Sequence, residues 1–450
     1  MVDKKWLKAQ AEKVRKVDAI DPALYRKYGV KRGLRNDNGT GVLVGLTTIG
    51  NVHGYVMNEG EKQPIPGELY YRGINVEDIV AADRREHRFG YEETAYLLLF
   101  GELPTARQLV DWKNKIGSYR KLSDGFKENA ILKYPPKDLM NALARAVLFA
   151  YAFDPEGEPD DISLEKCLEQ SVDLIGSIPT IVAYAYQAKS HYLCGQSLLI
   201  RNPDPAKSTA ENILLLTRED GKYTKLEAET LDLALILHAE HGGGNNSSFT
   251  THVVTSAHSD IYSSVAASVL SLKGSRHGGA NLRVMRQMDE IKAEVKDWRR
   301  RENVVAYLEK IVDKKAGDRT GLVYGLGHAV YTVSDPRAQM LKAKARLLAK
   351  EKGREDEMAL FEAIEDCGPA VIKSRHPRAE DVCANVDLYS GFVYDMLGIP
   401  RDLYTPLFAV ARCVSWCAHR MEELVNQGPI IRPAYKPIFH PREYVRIKDR

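Results

Sequence analysis

The stretch EAETLDLALILHAEH, residues 227–241, opens on acids, runs through Leu231, Leu233, Ala234, Leu235, Ile236 and Leu237, and stops at three glycines, Gly242 to Gly244. A helix that is apolar on nearly every face belongs in the interior of a protein. The stretch therefore predicts a central buried helix whose C-terminal end delivers His238 and His241 to the loop GGGNNSS. Outward from it, IYSSVAASVLSLKG, residues 261–274, is rich in small side chains that let helices approach closely until Gly274 ends the run. A third helix is expected from near Thr405, with Pro406 in its first turn. Leu407, Val410, Ala411, Val414, Ala418, Met421 and Leu424 form its apolar stripe, while Arg412, Trp416 and Arg420 fall on another face that pattern alone leaves in solvent. Residues 91–101, YEETAYLLLFG, read as a compact apolar helix, and Thr105 with Gln108 after Pro104 reads as a capping box. Strand-like alternation is scarce, so the fold class expected is all-α.

Between these helices, residues 152–165 and 201–223 are polar and read as surface loops. The tail 428–450 carries four prolines among aromatics and bases, too broken for a helix, and is expected to pack as an arm on a neighbouring subunit. The 64 basic residues nearly cancel the 61 acidic ones, and a net charge of +3 gives no reason to expect a nucleic-acid or membrane partner. No window approaches the apolar length of a membrane span, and the N-terminus lacks a signal core, so a cytoplasmic protein is expected. Six cysteines without a C-x-x-C pair read as reduced thiols, Cys413 and Cys417 as helix packing.

Five of the twelve histidines, His238, His241, His252, His258 and His277, fall within 40 residues. Metal binding is one chemistry open to them, because His238 and His241 stand at i and i+3, but H-A-E-H is not H-E-x-x-H and no further ligand stands at a familiar spacing. His277, in KGSRHGGAN, has glycines that leave the backbone open to a ligand, or is an ordinary loop histidine. His328, in YGLGHAVYTVSDPR, follows two glycines and precedes Arg337 by nine positions. Asp387, in NVDLYSG, fits a helix N-cap as well as a catalytic base. Arg432, in IIRP, reads locally as a surface arginine.

In combination, HAEHGGGN, GSRHGGAN, GLGHAVYTVSDPR and NVDLYSG appear in the order of the three histidine segments and the aspartate segment of the citrate synthase family, which this sequence resembles over roughly its C-terminal half. The resemblance implies an all-α two-domain fold, a large domain (1–278 and 394–450, the latter with the C-terminal arm) interrupted by a small one (279–393). It implies condensation of acetyl-CoA with oxaloacetate and hydrolysis of citryl-CoA to citrate and CoA, with acetyl-CoA as co-substrate and no permanently bound cofactor or metal.

By the same resemblance, Arg337, Arg412 and Arg432 hold the carboxylates of oxaloacetate, the last from the other subunit of a homodimer with shared active sites. His241 binds the substrate, His328 polarises its ketone, Asp387 is the base and His277 the donor to the thioester oxygen. Leu322, Val323, Tyr324, Gly325, Leu326 and Gly327 cradle the CoA adenine, with Asn245 and Asn385 as further polar candidates. Serine stands where the family usually has proline (Ser275), glycine where it has an acid (Gly242), and leucine where it has an aromatic (Leu326). Arg276 is expected to keep the neighbouring His277 uncharged. The alternatives are a 2-methylcitrate synthase using propionyl-CoA and, from another class, a histidine-site metallohydrolase.

Overall fold

In the computed structural model, which describes residues 4–59, 61–377, 381–439 and 441–450, the central helix is Lys225–His238. Thr224 Oγ1 accepts the amide of Glu227, and the Glu227 carboxylate accepts the amide of Thr224, so the first turn is satisfied at both ends. Every residue from Thr230 to His238 is buried, and the helix packs against Thr209–Thr217, Pro336–Lys352 and Tyr404–Asn426. The helix stops at His238, so His241 lies beyond it in the loop. His238 and His241 therefore do not share a helix face.

The described residues form two compact units, one ending at Leu46 and the other Thr47–Arg450. The first contains helix Lys4–Val17, none of whose residues is buried, and the short helix Pro22–Lys27, capped by the Asp21 side chain. The second is overwhelmingly helical. Its longest helix, Leu164–Cys194, runs through Pro179 and lies against Tyr404–Asn426 and Leu139–Ala150. Tyr91–Phe100 and Ile261–Lys273 fall where the sequence puts them, and the Thr105–Gln108 capping box is formed.

The all-α class stands, and two expectations need correction. Residues 201–223 are not all surface loop: a Ser208–Glu211 capping box starts helix Thr209–Thr217, which buries Ala210, Ile213, Leu214 and Leu216. The Arg412, Trp416 and Arg420 face is not solvated. All three are 0% exposed, and helix Asn246–Thr255 and the end of the central helix supply partners for some of their polar atoms: Trp416 Nε1 donates to Ser247 Oγ, Arg412 Nε to the His238 carbonyl and Arg420 Nη1 to Thr255 Oγ1. The fold also contains a three-stranded antiparallel sheet, β1 (Gly50–Asn58), β2 (Glu61–Tyr71) and β3 (Ile74–Asn75). Pro64, Pro66 and a register shift between His53 and Tyr55 erase the alternation that would have announced it.

This sheet positions the candidate site. Tyr71 donates its hydroxyl to the carbonyls of Ile236 (2.9 Å) and Glu240 (3.3 Å), tying β2 to the end of the central helix. Four residues earlier on β2, the Gly67 amide bonds the Ser334 carbonyl, and the Glu68 carbonyl accepts the Tyr331 hydroxyl. The approach is so close that a Cβ on Gly67 would meet the Ser334 oxygen at 2.2 Å, and one on Gly50 would meet the Glu240 side chain at 2.6 Å. Only glycine fits at either place.

Candidate active site

Where the central helix breaks, the backbone turns through Gly242 at φ +83° and presents His241 to His328, with the two Nε2 atoms 2.9 Å apart. His328 is aimed by its own turn. Its Nδ1 accepts the amides of Val330 (3.1 Å) and Tyr331 (3.0 Å), and its ring stacks on Tyr331 with centroids 4.6 Å apart. Two donors on Nδ1 leave the ring proton of neutral His328 on Nε2, facing His241. Burial first, then the charge of Arg337 and of other neighbours, holds His241 well below the ordinary histidine range, so it is neutral.

Two buried guanidiniums flank this pair. Arg337 is gripped by Asp335, with Nε to Oδ1 at 3.0 Å and Nη2 to Oδ2 at 2.8 Å. Asp335 also caps helix Pro336–Lys352 and accepts the Val386 amide, which joins the DPR turn to the helix that carries Asp387. Arg412 differs. Its Nε bonds the His238 carbonyl and its guanidinium sits 4.9 Å from the Phe408 ring centre, but Nη1 and Nη2, both buried, have no hydrogen-bond partner among the described residues. Burial lowers its pKa to about 10, still a cation at neutral pH. Two parallel, unused N–H groups on a buried cation match a carboxylate.

His277 lies in the turn after Ile261–Lys273. The Gly278 amide bonds the Leu272 carbonyl, and Thr405 Oγ1 bonds the Gly278 carbonyl, which fixes the turn against helix Tyr404–Asn426. Burial, then the charge of Arg412, lowers the His277 pKa to about 4. Arg276 is exposed and is not the cause, which corrects the sequence expectation. His277 Nε2 is 3.3 Å from Ser247 Oγ, which also accepts Trp416 Nε1–H and reaches Asn245 Oδ1 at 2.9 Å.

Asp387 stands in the first turn of helix Val386–Met396. It is not the cap: Asn385 is, its Oδ1 accepting the Asp387 amide at 3.0 Å. The Asp387 carboxylate accepts no hydrogen bond from the described residues, and burial raises its pKa to about 6, with Arg337 pulling it down and Asp335 pushing it up. A carboxylate so placed is ionised at neutral pH yet basic enough to take a proton.

Asn385 does a second job. Its amide nitrogens bond the carbonyls of Gly325 (2.9 Å) and Gly327 (2.8 Å), and Gly327 in turn bonds the Cys383 carbonyl, so the 322–327 turn is pinned to the helix of Asp387. Gly325 and Gly327 take φ +87° and +93°. Val323 is buried, Leu322 is 55% exposed, Tyr324 stacks with Arg283, and Leu326 pairs with Ala384. Asn245 caps helix Asn246–Thr255 and holds Ser247. Arg432 is exposed, and among the described residues no hydrogen bond or ion pair joins it to this cluster. Sequence reading missed Ser247, Asp335 and Glu240. Only Asp335, inside the DPR motif, carried a local signal.

The cluster can bind an anion on Arg412, donate from His328 and accept a proton on Asp387. The family model for the citrate synthase C-terminal domain matches residues 38–434. A citrate synthase from Haloferax volcanii is 34% identical over 372 residues, covering 82% of this chain and 88% of that protein. A 2-methylcitrate synthase 2 from Corynebacterium glutamicum is 32% identical, with the same shares of 82% and 88%. Among solved structures, a citrate synthase from the thermophilic archaeon Thermoplasma acidophilum, in ternary complex with carboxymethyl coenzyme A and oxaloacetate, superposes with a TM-score of 0.76 at 28% identity, over 94% of this chain and 99% of that one. The family model spans most of the chain, the relatives are similar over most of their length and the helical architecture matches that of the solved structure, so the chain belongs to the citrate synthase family.

Proposed function

We propose that this chain is an acyltransferase that condenses acetyl-CoA with oxaloacetate and hydrolyses the resulting citryl-CoA to citrate and CoA. The observation that carries the reading is Arg412, a buried cation whose two terminal nitrogens are unpartnered beside a neutral histidine pair. A 2-oxo dicarboxylate supplies the missing acceptors. Arg337 offers a second positive site, and Arg432 completes the clamp from the partner of a homodimer with shared active sites. His241 and His328 face the ketone, and the His328 Nε2 proton goes to the alkoxide that forms when the new carbon–carbon bond closes.

The methyl proton of acetyl-CoA goes to Asp387 while His277 hydrogen-bonds the developing enolate oxygen. The Ser247 hydroxyl donates to Asn245 Oδ1, accepts the Trp416 indole N–H and lies 3.3 Å from His277 Nε2, so it fixes the edge of the imidazole. A neutral imidazole gives up little charge and is matched to a weakly acidic substrate. Water then cleaves the thioester. The turn 322–327 presents its backbone to the CoA adenine, with Asn245 and Asn385 behind it.

Residues 279–393 act as a small domain that closes on 1–278 and 394–450, bringing His328 and Asp387 to His277 and excluding water from the enolate. The enzyme works in the cytoplasm. The 2-methylcitrate synthase relative supports a second reading with propionyl-CoA, and one methylene changes selectivity by only about 1–3 kcal/mol. Thiol release from acetyl-CoA and from propionyl-CoA, each with and without oxaloacetate, is the test. Oxaloacetate-dependent release, faster with acetyl-CoA, is expected. Faster release from propionyl-CoA selects the second reading, and no oxaloacetate dependence with either thioester overturns both.

A further inference from the structure

Behind the glycine loop lies a buried file of charged side chains that the chemistry above does not use. A Cβ on Gly243 would sit 3.4 Å from the His419 ring and 3.8 Å from His252 Nε2, so the loop rests directly on these two imidazoles. His252 Nδ1 is 2.7 Å from the Glu423 carboxylate and its Nε2 is 3.1 Å from His419 Nδ1, while His419 Nε2 is 3.2 Å from Glu240. The hydrogen bonds fix one extra proton for the pair. Glu423 accepts from His252 Nδ1, His419 Nε2 donates to Glu240, and one proton lies between His252 Nε2 and His419 Nδ1, so one of the two rings is an imidazolium, and placing that proton on His419 sets the charge directly beside Glu240.

The electrostatics agree. Burial would discharge His419, but Glu240 and Glu422 raise its pKa to about 9. Burial and the charge on His419 push His252 down. Burial would raise Glu240, yet His419, Arg412 and Ser415 hold it at about 2. The remaining groups facing this file are Glu422, whose other oxygen accepts the Thr48 amide and hydroxyl, and Arg72, which bonds Thr48.

Glu240 is where the file meets the site. One of its oxygens accepts the amide of Gly242, the residue after His241, and the other accepts the hydroxyl of Ser415 as well as His419. We propose that His419 and Glu240 are positioning residues: the buried imidazolium anchors Glu240, Glu240 grips the Gly242 amide, and His241 is thereby held where it meets His328. This rests on the reading of His241 as an oxaloacetate ligand. A divalent cation is the competing occupant, since His252 Nε2, His419 Nδ1 and a Glu422 oxygen lie within 4.8 Å of one another.

The test compares the full-length wild type with His419→Gln, Glu240→Gln, Ser415→Ala and His241→Ala. His419→Gln and Glu240→Gln should raise the oxaloacetate KM roughly ten- to a hundredfold and leave that of acetyl-CoA within about twofold, the scale on which small misplacements are felt. Ser415→Ala, which removes a neutral donor and keeps the charge pair, should have a smaller effect. In the wild type the oxaloacetate KM should climb as pH passes about 9 and His419 loses its proton, and the climb should vanish in His419→Gln. A wild-type oxaloacetate KM in His419→Gln while His241→Ala raises it overturns the proposal, as does one equivalent of zinc found in the purified wild type by elemental analysis. An unchanged KM in His241→Ala overturns the ligand reading beneath it. Should His419→Gln fail to fold, the wild-type profile decides, and a flat oxaloacetate KM through pH 9 overturns the proposal.

Discussion

Arg337 and Arg412 are both buried guanidiniums beside the same pair of histidines, yet the protein treats their charges in opposite ways. Arg337 is countered inside the fold by Asp335 through two hydrogen bonds. Arg412 has its Nε satisfied and its two terminal nitrogens left without acceptors among the described residues. Burial lowers the pKa of Arg412 to about 10, whereas at Arg337 the same burial is outweighed by Asp335 and the pKa rises. Burial sets the cost of a charge, and the partner decides who meets it. For Arg337 a partner is part of the chain, so its charge is already met on folding before a substrate adds to it. For Arg412 the acceptors must come from outside, so its charge belongs to binding.

Removing the neighbouring base is the largest blow to activity and tests what the two charges do together. Asp387→Asn should lower kcat by roughly 10²- to 10⁴-fold, the usual worth of a positioned base. A carboxylate whose pKa is raised from 3.8 to about 6 costs stability above that range, so the variant should also melt higher than the wild type at neutral pH.

Leucine substitutions at the two arginines test the contrast directly. Arg337→Leu strands the buried Asp335 carboxylate and should cost about 3–5 kcal/mol of stability in denaturant unfolding. Arg412→Leu removes a buried charge that hydrogen-bonds no carboxylate among the described residues, Glu240 acting on it only through space. Stability should stay within about 1 kcal/mol of wild type or rise, while oxaloacetate binding weakens by about 3 kcal/mol, roughly a hundredfold. Equal stability losses in both variants would dissolve the distinction.

Asp335→Asn sharpens the comparison at smaller amplitude. Asparagine can still cap the helix, but it exposes Asp387 to the full charge of Arg337. Because Asp335 raises the Asp387 pKa and Arg337 lowers it, the acid limb of kcat/KM, near pH 6 in the wild type, should move to lower pH. Smallest of all is Arg276→Ala. The cation that acts on His277 is Arg412, so this change should leave the pH profile where it is.

How much of this was readable beforehand follows from the range of each interaction. The central helix, the helix from residue 404 and the capping box at Thr105 are local patterns, and they were legible. The histidine segments were legible as a set because their flanking glycines and their order travel with them. Asp387 was ambiguous from sequence because Asn385, two residues away, is an equally good cap, and only the side-chain geometry separates the two roles. Arg412 and Trp416 read as solvated because their partners, the carbonyl of His238 and the hydroxyl of Ser247, lie 174 and 169 residues away. The Glu240–His419 pair spans 179 residues for the same reason. Periodicity reports which face of a helix is apolar. It does not report that a distant helix will arrive carrying acceptors for the polar face.

The sheet that periodicity missed has a consequence for the chemistry. A single strand, β2, touches the His241 segment through Tyr71 and the His328 segment through Gly67 and Glu68. It therefore serves as a gauge bar on which the spacing of the two imidazoles is ruled. One residue of slip along a strand is about 3.3 Å, more than the 2.9 Å that separates the ring nitrogens. A one-residue insertion or deletion between Gly67 and Tyr71, far in sequence from every histidine of the site, would misset the pair by a full bond length of contact. Loop length elsewhere on the surface can drift freely, but this short interval is a calibrated distance.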